Sequence, residues 1–293
     1  MKEGRKTHKR YGVLFTCFSL RAVHIETASS LETDSFIQAL RRFVARRGTV
    51  REIRSDRGTN FVGADNELKK AWQEMDHEKI SAYMSGQGGD WIKWDWNTPH
   101  ASNMGGVWER QIRTVRSVLM SLIKSSPRTL DDETLRTFLA EAESIVNSRP
   151  LTLENLNDPD SSPLSPNQIL TMKSQLVLPP PGVFQAADMY CRKRWRVAQH
   201  LANCFWSRWR KEYLQLLTTR QKWTEEKRNV QVDDVVLLKE EGLVRGRWPM
   251  ARVVKVHPSK DGLVRTVSLR VGDSVFERPV NKTVLLVEAG EST

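Results

Sequence analysis

The feature that most constrains this chain is a change of hydrophobic period along its length. Short runs rich in β-branched and aromatic residues alternate with helix-period segments as far as Arg220. From Val232 the helical signal stops and strand-like runs fill the tail. Strand and helix alternating behind an opening hairpin call for an α/β layered core, and an all-β tail calls for a smaller second unit.

Tyr11 to Phe18 and Arg21 to Ala28, separated by Ser19 and Leu20, read as an antiparallel pair. Phe36, Ile37, Leu40, Phe43 and Val44 recur with helical spacing from Thr33 to Arg47, behind a Thr33/Asp34 cap and ahead of the stop at Gly48. A strand follows from Val50 to Ser55, then a loop, a helix near Asp65 to Asp76 and a strand at Trp91 to Trp96. Two helices are predicted at Val107 to Lys124 and Asp131 to Asn147. Beyond them lies an extended, proline-rich connector from Leu151 to Gly182. Asp188 to Arg220 is helical again, with Trp195, Ala198, Ala202, Phe205, Trp209, Tyr213 and Leu216 on one face, a stripe expected to be core. Asp234 to Lys239, Trp248 to His257, Val264 to Val271, Ser274 to Arg278 and Thr283 to Val287 are five strands, expected to form a small β-barrel.

No apolar run approaches the roughly 20 residues that span a bilayer. The basic start reads as no secretory signal, so a cytoplasmic or nuclear protein without a membrane partner is expected. Cys17, Cys191 and Cys204 lack the spacing of a disulfide framework or of a zinc site with the six histidines, so no zinc is expected. The net charge of +11 points to a polyanionic partner. Residues 1–10 carry +4 and Asp188 to Arg228 carry +7, whereas Tyr11 to Ala187 carry −1, so the excess flanks a nearly neutral body.

Asp56 stands where a strand gives way to a Gly58 turn, a place from which a carboxylate projects past a sheet end toward a hydrated metal; Asp-x-Gly is also a common plain turn. Glu109 falls in the first turn of a helix entered through Gly105-Gly106, where the helix dipole favours a carboxylate.

The run Arg54-Ser55-Asp56-Arg57-Gly58-Thr59-Asn60-Phe61, together with Met104-Gly105-Gly106-Val107-Trp108-Glu109-Arg110, resembles the integrases of Bel/Pao-type long-terminal-repeat retrotransposons. The resemblance extends through Tyr11 to Cys17, Arg21 to Glu26, Asn147-Ser148-Arg149-Pro150-Leu151-Thr152, Trp209 to Trp223, Asp234 to Leu238 and Asp261-Gly262-x-Val264-Arg265. It implies an RNase H-like core in which two aspartates and a glutamate hold two divalent ions, Mg²⁺ or Mn²⁺, for in-line attack on a phosphodiester. Asp56 then takes the second carboxylate position and Glu109 the third, as catalytic and metal-binding residues. The tail is similar to SH3-like integrase ends, which implies contact with DNA or chromatin. Arg192, Lys193, Arg194, Arg208, Arg210 and Lys211 are the expected phosphate contacts, joined by Arg113 and Arg116 on the Glu109 helix. Assembly with further copies of the chain is a further option.

The sequence also departs from the family pattern. Residues 1–10 hold no aspartate and no strand pattern, so the first catalytic aspartate and its strand have no counterpart there, and Glu26 is the nearest substitute in sequence. Arg57 stands where the family has asparagine. The expected architecture is an α/β, RNase H-like core lacking its first strand (11–150) behind a basic tail (1–10). A proline-rich connector (151–187), a basic amphipathic helix (188–228) and an SH3-like β-barrel (229–288) follow. The expected role is metal-dependent DNA strand transfer in integration, with the isolated chain inactive. A catalytically dead DNA- or chromatin-binding protein and a protein-interaction module at Val230 to Glu288 stay open.

Overall fold

A computed structural model of the chain describes residues 2–3, 6–55, 93–96, 106–153, 163–173, 182–218 and 228–290. The fold is mixed α/β with antiparallel sheets. Two-residue strands β1 (Lys2–Glu3) and β2 (Lys6–Thr7) pair ahead of the predicted hairpin, β3 (Tyr11–Thr16) and β4 (Val23–Ala28), whose register runs from Tyr11 opposite Ala28 to Thr16 opposite Val23. Helix α1 (Thr33–Arg47) follows and has the predicted bounds. Its N-cap is Glu32 with no side-chain cap, where the sequence pointed to Thr33/Asp34. Ser35 Oγ instead accepts from the Ser29 and Ser30 N–H groups and orders the approach. Gly48, at φ 88°, ends the helix by returning its N–H to Val44 O, a left-handed backbone that a side chain disfavours. Phe36 and Leu40 of α1 pack against Val13 and Phe15 of β3 and Ile53 of the next strand.

That strand, β5 (Glu52–Ser55), pairs in parallel with β6 (Lys93–Trp96). The helix expected near Asp65 to Asp76 lies outside the described residues. Helices α2 (Gly106–Ser125) and α3 (Asp132–Asn147) match the two predicted helices. Asp131 caps α3, its carboxylate accepting from Thr134 N–H at 2.9 Å. The described parts of the proline-rich stretch are more ordered than expected. They hold the pair β7 (Thr152–Leu153) and β8 (Pro163–Leu164), and the short helix α4 (Pro166–Thr171) with a Ser165/Gln168 capping box. A 3₁₀ turn (Ala186–Tyr190) then leads into α5 (Arg194–Thr218).

One apolar core joins these elements. It holds Val23 and Ile25 of β4, Val115, Val118 and Leu122 of α2, Phe138 and Val146 of α3, and Leu201, Phe205 and Trp209 of α5. The expected aromatic stripe is therefore core over most of its length. Phe205 stacks on Trp209 and Trp209 on Tyr213, a ladder at four-residue spacing, and Trp248 meets Trp209 edge-on at 5.9 Å.

The tail contains the five expected strands, β9 (Val235–Leu238), β10 (Met250–Pro258), β11 (Val264–Val271), β12 (Ser274–Pro279) and β13 (Thr283–Val287). They form an antiparallel sheet in the order β12-β11-β10-β9-β13. The sheet is open: among the described residues no pairing joins β12 to β13. All four residues of β9 are buried because the strand lies between two cores. Val236 and Leu238 meet Ala251, Val253, Val267 and Leu269 of the sheet's own interior, whereas Leu237, Trp248 and Val284 join the α5 core. Buried Asp234 pins the sheet's entry with four hydrogen bonds: two from Arg228 and one each from the Gln231 and Ala289 N–H groups.

Candidate functional site

The predicted catalytic carboxylates are approached from two elements. β5 ends at Ser55, so Asp56 is the next residue along the chain, and Glu109 is the fourth residue of α2. Asp56 itself and the Glu109 side chain lie outside the described residues. Further along α2, Arg113 and Arg116 are exposed while Val115, Val118, Leu119 and Leu122 are buried, so both cations stand away from the core. Among the described residues no group of three or more His, Cys, Asp or Glu side chains is arranged to hold a metal ion.

Glu26, the substitute that the sequence suggested for a first carboxylate, is already fully engaged. It is 4% exposed, and its oxygens accept from Arg42 Nε and Arg46 Nη1, each at 2.7 Å, with His24 Nε2 at 3.1 Å. Two cations already neutralise this carboxylate, which fits it to tie α1 to β4 and not to bind a hydrated ion.

Across β4 the same network reaches α3. Glu143 accepts from the Ile25 N–H at 2.9 Å, meets His24 Nδ1 at 3.2 Å and takes a hydrogen bond from Arg47. Burial pushes the Glu143 carboxyl up, but the hydrogen bonds from His24 and Ile25 and the charge of Arg47 outweigh it and hold it below its ordinary value. Asn147 completes the arrangement: its Oδ1 accepts from Val23 N–H and its Nδ2 donates to Val23 O, both at 2.8 Å. Residues 143 and 147 are four apart on a helix, about 6 Å, and residues 23 and 25 are two apart on a strand, about 6.6 Å, so the spacings match. The helix thereby satisfies Val23 and the Ile25 N–H on the edge of β4 that faces away from β3. Arg149, 2% exposed, donates to the carbonyls of Val146, Leu20 and Arg21 and locks the hairpin turn. The Asn147-Ser148-Arg149 run is thus a structural clasp. Sequence reasoning named the run without finding its role, because nothing local links it to β4 more than a hundred residues earlier.

The six expected phosphate contacts on or beside α5 divide. Arg192, Lys193 and Lys211 are exposed. Arg194 is exposed but pairs with Asp131 at 3.4 Å, and exposed Arg208 donates to Ser121 Oγ at 3.1 Å. Arg210 is the correction. It is 9% exposed and donates to the carbonyls of Glu240 and Leu238 at 2.7 and 2.9 Å, with Trp206 and Trp248 beside its guanidinium. The helical period turns it toward β9, where it satisfies carbonyls at the end of that strand and serves the fold, not a phosphate. Two rings flank the first three of these cations in sequence, one not singled out by the sequence and the other read as core. Tyr190 is 61% exposed with Arg128 set 6.0 Å from its centroid, and Trp195 is 49% exposed although it belongs to the predicted core stripe. The signal available was that Trp195 is the stripe's first member, within the first turn of α5.

Two comparisons give matches. Residues 193–286 match a family described as a family of unknown function (DUF5641), less than half of the chain; the segment runs from the start of α5 into β13 and so takes in the helix and the sheet packed on it. No curated protein matches. Among solved structures, the chain is similar to one described as the simian T-cell lymphotropic virus intasome in complex with PP2A regulatory subunit B56 gamma. The alignment has 13% identity and a TM-score of 0.33, over 96% of this chain and 78% of the other, a likeness too slight to establish a shared fold. Among the described residues no helix is long and apolar enough to cross a membrane.

Proposed function

We propose that the chain is an integrase-type protein of the Bel/Pao retrotransposon kind, built for metal-dependent strand transfer into DNA. The observation that carries this reading is the order of elements. An antiparallel hairpin, a helix, a parallel strand pair and a long helix follow one another, with Asp56 directly after β5 and Glu109 in the first turn of α2. With Val23 and Ile25 on the outer edge of β4 bonded to α3, the side of the hairpin left for a further strand is the one beside β3. Ile53 of β5 packs against the same α1 residues, Phe36 and Leu40, as Val13 and Phe15 of β3. This is where an RNase H-like core places its central strand, the one carrying the first carboxylate. The remaining donor set, two carboxylates, suits the hard-oxygen preference of Mg²⁺ or Mn²⁺. Asp56 and Glu109 would hold the ions, which when bound would polarise the phosphodiester and its attacking oxygen. Arg113, Arg116, Arg192, Lys193, Arg194, Arg208 and Lys211 are the proposed DNA contacts. Nuclear action on chromatin, and assembly with further copies, belong to the same reading.

Strand-transfer assays with Mg²⁺ or Mn²⁺ on duplex DNA test it. Any strand transfer that the chain shows should disappear in Asp56→Asn and in Glu109→Gln; activity unchanged in both variants refutes the assignment. One observation favours a second reading, a DNA-binding protein without catalysis: Glu26, the acid that the sequence offered for the first carboxylate's role, is neutralised by Arg42 and Arg46. Duplex binding that weakens steeply with salt, with no strand transfer under any metal, selects that reading.

A further inference from the structure

The turn that enters α5 carries exposed rings together with cations that lack an acidic partner among the described residues, and hydrogen bonds tie its flanks together. Met189 is buried in the main core, which turns its neighbour Tyr190 outward. Arg196 donates to both oxygens of Asp188, at 2.7 and 3.2 Å, and to Val183 O at 3.0 Å, closing the segment from 183 to 196 on itself. Its guanidinium lies 5.2 Å from the Phe184 centroid and 5.6 Å from that of Trp195, and Phe184 meets Trp195 edge-on at 5.5 Å. Trp195 is thereby held from one side while half of it faces water, and Tyr190 faces water with Arg128 beside it. Between the two rings stand Arg192, Lys193 and Arg194. Asp188 is taken by Arg196, Asp131 by Arg194 and Asp132 by Arg10, and Arg192 and Lys193 have no acidic partner among the described residues.

We infer that Tyr190 and Trp195 form a stacking platform for the unpaired bases of a single-stranded nucleic acid, with Arg192 and Lys193 on its phosphates. Two exposed rings flanking a cationic turn match a strand whose bases and phosphates alternate, because a ring stacks on any base face and a guanidinium or ammonium meets the backbone between. In a duplex those base faces are covered, so the rings discriminate between the two forms where charge alone does not. Rings fixed before binding lose little freedom on contact, which favours a preformed site. The inference deepens the DNA-handling reading above, naming the strand form that this part of the molecule takes.

The test uses the full chain, a labelled single-stranded oligothymidylate and a duplex of equal length, with fluorescence anisotropy across a salt series. Tyr190→Ala and Trp195→Ala should each weaken single-strand binding roughly five- to hundredfold, as loss of one stacked base does. Duplex affinity and the salt slope should be unchanged. Trp195→Phe, which keeps a ring and the contact with Phe184, should recover most of the loss, which separates stacking from misfolding. Arg192→Gln with Lys193→Gln should lower the salt slope by about 0.7 per phosphate contact. Photocrosslinking of an iodouracil-substituted strand should map to the peptide holding Tyr190 and Trp195. Single-strand affinity indifferent to the rings, equal loss on duplex, or a crosslink elsewhere overturns the platform; the first is also the result if the rings serve a protein partner. Strand transfer that survives such a result leaves the integrase reading standing. Ring-dependent single-strand binding without strand transfer removes that reading and keeps the platform.

Discussion

Asn147 does for β4 what a neighbouring strand would do: a side-chain amide offers one acceptor and one donor at the spacing of a backbone peptide. Asn147→Ala leaves the buried N–H and C=O of Val23 unsatisfied and should cost about 2–4 kcal/mol, read as a lower urea midpoint with unchanged slope. An unaltered midpoint would mean that water replaces the amide. Asp234 acts through charge. Burial raises its carboxyl, but the bonds from Arg228, Gln231 and Ala289 prevail and hold it below the ordinary aspartate value. A group depressed in the folded state stabilises fully above its unfolded value, near 3.9, and that stabilisation is lost as pH falls through the lower folded value. Asp234→Asn should therefore be less stable than the parent at pH 7, with the gap closing below about pH 4 in acid denaturation. A gap that persists at pH 2 would assign the effect to shape.

At the scale of elements, α5 is a wedge between the helical layer and the C-terminal sheet. Trp209, fully buried, stacks on Phe205 and Tyr213 of its own helix and meets Trp248 of the tail edge-on, while Phe205 meets Phe138 of α3 edge-on. Trp209→Ala should cost about 3–5 kcal/mol, measured by chemical denaturation, whereas Lys211→Ala, two residues on and exposed, should change little. Many element bounds were legible in the sequence, since α1, α2, α3 and β11 each carry a clear period with a cap or a glycine at or near an end. The inward turn of Arg210 was not legible. Helical period separates the faces of α5, but a cation beside an aromatic stripe reads as solvated until the carbonyls of Leu238 and Glu240 are seen against it. The clasp at Asn147 and the saturation of Glu26 were hidden for the same reason, because each depends on partners brought together only by packing. Of the proposed pair Asp56 and Glu109, sequence alone gives the place in the element order.

For the whole molecule, the shared core predicts joint unfolding. Val23 of the hairpin, Phe138 of α3, Trp209 of α5 and Val284 of the last strand belong to one buried cluster. Near-ultraviolet circular dichroism, which reports the tryptophan cluster, and far-ultraviolet signal from the helices should therefore fall in a single coincident transition. Two separated transitions would show that the sheet folds independently of α5.

The treatment of β4 also governs how copies of this chain can go wrong. Chains that exchange strands into fibres need two open borders per sheet, one to receive and one to offer. Here α3 occupies the Val23 and Ile25 stretch of one border of the hairpin, so two molecules joined antiparallel along β3 about a two-fold axis would leave that stretch of this hairpin closed to a third.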